Sequence, residues 1–220
     1  MNLNLVRITY IYFMTNDLIK TIMASPEMPR LLETLQAEWE AEQAHRHAFW
    51  ADVDENRKAE FILGEIVYHS PVYGRQWMVS TNIIRFLVPH VYNHKLGKVA
   101  VEKVMIRLTR NDYEPDICFW NNEKAREFGL KQSAFPASDF VAEILSDATR
   151  ERDRGIKFED YALHGVSEYW IIDPDAMTIE QYLLEGETYT LAVKVNSGKI
   201  KSRVIHGFEM AVEDVFHWEE

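Results

Sequence analysis

DFVAEILSDATRERDRGIKFEDYALHGVSEYWIIDP, from Asp139 to Pro174, reads as strand, helix and strand. In Phe140–Leu145, alternation places Val141, Glu143 and Leu145 on one face and Phe140, Ala142 and Ile144 on the other. Both faces are apolar, which predicts a strand covered on both sides. Arg150 to His164 is helical, with Thr149 placed to cap it and Gly165 to stop it. Glu168 to Asp173 (EYWIID) is a second strand, closed by Pro174, with Tyr169 and Trp170 as core residues and Asp173 as a turn residue. Glu143 is the anomaly, because an ionised carboxylate in such a strand is costly unless it is paired or holds a metal. Lys157, in the following helix, shares a face with Asp153, Tyr161 and His164 by three- and four-residue spacing.

Working outward, Pro115–Trp120 (PDICFW) is a short strand with Asp116 at its start. Val99–Leu108 is β-like, and residues 121–137 form a loop or short helix. Gln76–Tyr92 carries a helical apolar pattern that Pro89 should kink or end. Glu60–His69 (EFILGEIVYH) is a strand pair turning at Gly64. Leu31–Trp50 is predicted as an amphipathic helix through Leu31, Leu32, Leu35, Trp39 and Phe49. Downstream, Thr178–Leu184 and Thr188–Val195 are hairpin strands. The order describes an α/β (α+β) domain over residues 57–220, a mixed sheet with helices packed on it. An acidic amphipathic helix at 29–56 precedes this domain, and residues 1–28 form an N-terminal extension.

Two acids on neighbouring strands can hold Mg²⁺, a hard ion that prefers oxygen ligands and keeps several waters for a phosphate substrate. A nearby lysine can orient water or stabilise charge on the phosphate. Asp116, Glu143 and Lys157 supply these types. A buried Glu143–Lys157 salt bridge without catalysis explains the same pair, and spacing does not choose between them.

The stretch 139–174 resembles the signature of the Uma-two restriction endonuclease family: P-D-l-v-x-E-v-l-S, then R-D-x-x-x-K, then Y-x-x-x-G-V-x-E-Y-W-x-v-D-P. Glu60, Gly64, Glu65, Ser70 and Pro71 resemble its E-L-x-x-G-E-x-x-x-x-S-P, and Pro115-Asp116 resembles its earlier P-D, so the likeness covers about residues 57–215. It implies the restriction-endonuclease-like PD-(D/E)XK fold, a central mixed four-stranded sheet flanked by helices in αβββαβ order, here with extra C-terminal strands. It also implies an endonuclease dependent on Mg²⁺, with Mn²⁺ as substitute, that hydrolyses DNA phosphodiesters. The metal acids would fall on Asp116 and Glu143, with Glu65 as an additional catalytic and metal acid. Leu145 stands where the usual lysine would be, and the family's helical lysine corresponds to Lys157. Ser138-Asp139 departs from the second P-D, and Arg75-Gln76 stands where a histidine often follows the S-P segment.

The 220 residues are 47% hydrophobic and 27% charged, as in ordinary globular chains. One cysteine, Cys118, excludes an internal disulfide and a thiolate zinc site and favours a reducing, cytoplasmic setting. His45 and His47 lie on different helical faces, which argues against zinc there. No window is apolar enough for a membrane span. Ile8–Met14 makes a poor signal peptide, and Met14, Met23 and Met28 are alternative starts. The net charge of −11 speaks against a simple basic nucleic-acid coat protein. Yet residues 74–110 hold seven basic residues against Glu102 alone, and Lys194, Lys199, Lys201 and Arg203 surround a later turn. The charge total therefore does not exclude a polyanion, and DNA is the substrate that the resemblance implies, with the first segment as phosphate contacts. A homodimer suits cleavage of both strands, and no organic cofactor is called for. The alternative is a silent nuclease-like fold serving as a protein-binding or assembly module, its acidic helix docking a partner.

Overall fold

A computed structural model describes residues 17–53, 57–71 and 73–217. The Ile8–Met14 stretch lies outside the described residues. Among them, no helix is long and apolar enough to cross a membrane.

The centre is a six-stranded sheet built from β3 (Gly97–Val101), β6 (Ile117–Asn121), β8 (Phe140–Ile144), β9 (Glu168–Asp173), β10 (Thr178–Glu185) and β11 (Thr188–Val195). Their spatial order is β11-β10-β9-β8-β6-β3. Only β8 and β9 run parallel, so this sheet is mixed. The first four core strands are the predicted sheet, and the β10–β11 hairpin extends it.

Alternation along β8 works as predicted. Phe140, Ala142 and Ile144 face helix α2 (Gly74–Asn93), which contributes Val79, Ile83, Leu87 and Val91 to that side of the core. Val141 and Leu145 face the other side, where Tyr161, Tyr169 and Ile171 complete a second cluster. The connection from β8 to β9 runs through two short helices, α4 (Arg150–Arg154) and α5 (Ile156–Leu163), not one. Gly155 breaks them apart, and a Cβ there would lie 2.8 Å from the Glu151 carbonyl oxygen. The chain can turn so tightly only without a side chain. Thr149 occupies the cap position of α4, but its hydroxyl accepts from Ser146 N and makes no cap bond.

A second sheet covers the α5 side, with order β2-β1-β5-β4-β7. It is made of β1 (Ala59–Ile62), β2 (Glu65–Tyr68), β4 (Met105–Arg107), β5 (Asp112–Tyr113) and β7 (Ala134–Phe135). The predicted Gly64 turn is present. Leu63 and Gly64 both have positive φ, as a two-residue hairpin turn of matching twist requires. The single strand expected over Val99–Leu108 is instead β3 and β4 in different sheets. Glu102 and Lys103 both adopt left-handed φ between them and swing the chain from one layer to the other. Pro89 lies inside α2, and the helix continues past it to Asn93.

Helix α1 (Met28–Asp52) forms where expected, but only the Phe49 end of its apolar stripe enters the core. Leu31, Leu32, Leu35 and Trp39 are exposed, whereas Arg46 and Phe49 are buried. The Arg46 guanidinium donates through Nε and Nη2 to the two Asp112 carboxylate oxygens, each at 2.7 Å. It also donates to the carbonyls of Leu108, Thr109 and Asn111. A fork so fully used fastens the last turns of α1 to β5. Arg46→Met is therefore expected to cost about 3–5 kcal/mol, because Asp112 loses its cationic partner and three carbonyls lose a donor in the interior. Urea unfolding checks this, and a loss below about 1 kcal/mol would refute the anchoring role.

Candidate active site

Asp116 immediately precedes β6, and Ile117 stands opposite Ala142 on antiparallel β8. That register sets Asp116 beside Glu143, and reciprocal bonds lock the two together. Asp116 N donates to Glu143 Oε2 at 3.2 Å, and Ile144 N donates to Asp116 Oδ2 at 2.9 Å. The two expected acids therefore share one spot where their strands meet.

Lys157, in the first turn of α5, rises beneath them. Its ammonium lies 3.0 Å from Glu143 Oε1, 2.9 Å from Glu60 Oε1 and 3.4 Å from Asp153 Oδ1. Tyr161, one turn further along α5, donates to Glu143 Oε1 at 3.0 Å. The helical face expected from spacing thus carries Asp153, Lys157 and Tyr161 to the site. His164 does not join them: its Nε2 accepts from Thr109 N, and its Nδ1 faces the Asp160 carbonyl.

Glu65 is not brought to Lys157. It lies opposite Ile62 at the turn end of the β1–β2 hairpin and is exposed to solvent. Glu60, at the far end of the same hairpin and fully buried, is the acid that reaches the lysine. Glu60 also accepts from Glu114 N and pairs through Oε2 with His69 Nε2 at 2.9 Å. Glu60 stands in the sequence motif without a site role, although it carries the signal that exposed Glu143: an acid embedded in an apolar strand, here Ala59–Ile62. Lys58, just before β1, was also missed, and its ammonium lies 2.9 Å from Asp116 Oδ1.

Four carboxyl groups, from Glu60, Asp116, Glu143 and Asp153, thus face two lysines. Burial pushes the Glu143 carboxyl above its ordinary value against the pull of Lys157, with Asp153, Asp116 and Glu60 adding to the rise. Burial also raises Asp153. For Glu60, burial acts upward, but Lys157 and His69 outweigh it and hold the group well below its ordinary value. Burial would lower Lys157, but Glu143, Glu60 and Asp153 overcome this and keep it firmly protonated. The cluster is short of positive charge.

Among the described residues, no group of three or more acidic, histidine or cysteine side chains forms a ready metal cage. Asp116 and Glu143 instead offer adjoining carboxylates in a site short of positive charge. This donor set fits Mg²⁺, which is commonly held by one or two carboxylates while it keeps several waters.

Other residues of the sequence find structural partners. Asp173 accepts from Arg150 and from the backbone of Asp175 and Ala176, as a turn residue. Asp139 meets Lys124 at 2.9 Å. Cys118, Tyr169 and Trp170 are core residues. The basic segment 74–110 is dispersed over α2, β3 and β4, with Arg75 paired to Asp175 and Arg110 to Glu42. Lys194 and Lys199 of the second patch pair with Glu180 and Glu209.

A mixed sheet carrying paired acids at the β6–β8 junction, with a helical lysine beneath them, defines a restriction-endonuclease-like fold. A family model described as "Uma2: Putative restriction endonuclease" matches residues 41–213, and the chain belongs to that family. Among solved structures, it is similar to one described as a "putative nuclease belonging to DUF820" from Anabaena variabilis ATCC 29413. The TM-score is 0.66 at 17% identity, over 76% of this chain and 94% of the other. No curated protein matches the sequence.

Proposed function

We propose that this chain is a metal-dependent endonuclease that hydrolyses phosphodiester bonds of DNA, with Mg²⁺ as its ion and Mn²⁺ as substitute. The observation that carries this reading is the interlocked Asp116–Glu143 pair, two oxygen donors side by side in a cluster short of positive charge. Asp116 and Glu143 would hold the ion, and a bound ion would supply Lewis acidity and a water of lowered pKa. Lys157 and Tyr161 fix Glu143 Oε1, so the carboxylate cannot turn away from Asp116. Glu60 and Asp153 surround the same ammonium and hold it in place. Glu65 has no part in this arrangement. A homodimer is the assembly that cleavage of both DNA strands calls for.

The competing reading is a charge cluster that only stabilises a binding or assembly module. It is favoured by the two lysines already seated on the acids. Supercoiled plasmid incubated with Mg²⁺ or Mn²⁺ separates the two. Nicking or linearisation by the wild type but not by Asp116→Asn supports the nuclease. No cleavage of DNA by either protein would leave the module reading standing.

A further inference from the structure

Lys157 is poorly placed to touch a substrate. Only 2% of its side chain is exposed, and three carboxylates crowd its ammonium. The Tyr113 ring lies on a further side, 5.7 Å away. An ammonium has three N–H groups, so an ion spent on such neighbours has little left for a phosphate.

Lys58 is placed differently. Its side chain is 19% exposed, and its partner among the described residues is Asp116 Oδ1. That oxygen is the one not held by the strand, since Oδ2 accepts from Ile144 N. The Lys58 backbone is anchored by His69 N, which donates to its carbonyl at 3.1 Å. Its long, flexible side chain can therefore move while the main chain stays in place. An ammonium on the free oxygen of a metal-binding carboxylate sits where an incoming cation would compete with it.

We propose that Lys58 is the substrate-facing lysine of this site. It neutralises Asp116 Oδ1 when no divalent cation is bound, and it passes to a non-bridging oxygen of the scissile phosphate when cation and DNA are both present. Lys157 is then a positioning residue that holds Glu143 and Glu60. This inference rests on the nuclease reading and adds a residue to it.

The test compares wild type with Lys58→Met, Lys58→Gln and Lys58→Arg in two measurements. The first is Mn²⁺ binding to the DNA-free protein by calorimetry. Removing the competing charge is expected to tighten Mn²⁺ binding about tenfold in Lys58→Met and Lys58→Gln, with Lys58→Arg near wild type. The second is plasmid cleavage at saturating Mn²⁺, expected to fall about 100-fold in the two uncharged variants, since a donor to developing phosphate charge is lost. A merely structural lysine would not move the two readouts in opposite directions. Lys58→Gln keeps a hydrogen-bond donor for Asp116 and serves if Lys58→Met does not fold. Unchanged or weaker Mn²⁺ binding in the uncharged variants, or cleavage within about threefold of wild type, would overturn the role of Lys58. A wild type that neither binds Mn²⁺ nor cleaves would overturn the nuclease reading itself, and this inference with it.

Discussion

Glu143→Gln is expected to abolish metal-induced stabilisation and to lower plasmid cleavage by about 1,000-fold or more. A ligand of the native state at 100 times its dissociation constant stabilises by about 2.7 kcal/mol. For a domain of this size that corresponds to a rise in Tm of roughly 5–10 °C. Wild type in saturating Mn²⁺ should show this rise, and Glu143→Gln should not. The substitution is otherwise mild. Its amide oxygen can still accept from Lys157 Nζ and Tyr161 OH, the two bonds now made by Oε1. Its amide nitrogen would face Asp116 N, a donor against a donor, at a cost of about 1–2 kcal/mol. Thermal scans with and without Mn²⁺ give the result directly. An equal shift in both proteins would remove Glu143 from the metal site.

Lys157→Met should be the most destabilising change in the cluster, at about 3–5 kcal/mol. The lysine is the common counter-ion of Glu60, Glu143 and Asp153, and all four residues are buried. Deleting it leaves carboxylates to repel one another in the interior or to take up protons at a cost. The double variant Lys157→Met/Glu143→Gln should recover about 1–2 kcal/mol of that loss, because one of the stranded charges goes with it. Urea unfolding of wild type, both single variants and the double variant closes the cycle. Strict additivity would show that the lysine and Glu143 do not interact. A Lys157→Met protein as stable as wild type would mean the cluster does not depend on its central charge.

Much of this arrangement is legible along the chain. A glutamate in the apolar run Phe140–Leu145 announces a buried charge, and the two-residue alternation correctly separates Glu143 from Phe140, Ala142 and Ile144. The four-residue steps Asp153, Lys157 and Tyr161 correctly place three groups on one side of the helical segment, even though Gly155 divides it. The choice between Glu60 and Glu65 was less accessible. Both are acids in one hairpin, and only the position of β1 against β5 and above α5 buries one and leaves the other at the turn. Likewise, nothing in the local pattern of Val99–Leu108 tells a continuous strand from two strands in different layers. The deciding feature is the left-handed pair Glu102–Lys103, two residue types that rarely adopt that conformation.

Helix α1 shows the same limit from the other direction. Its apolar spacing is real, yet Leu31, Leu32, Leu35 and Trp39 are exposed while Arg46 is sealed inside by Asp112 and three carbonyls. Periodicity reports which residues could share a face, but not whether another surface arrives to cover it. By itself the sequence determined the order of the central-sheet strands, the buried charge on β8 and the family to which the chain belongs, because these depend on residue type and short spacing. The tertiary structure alone decided that Glu60 and Lys58 complete the cluster and that Glu65 does not. Those placements depend on register and layer packing between segments some 50 to 100 residues apart, where the interaction energy lies in contacts that no local pattern encodes.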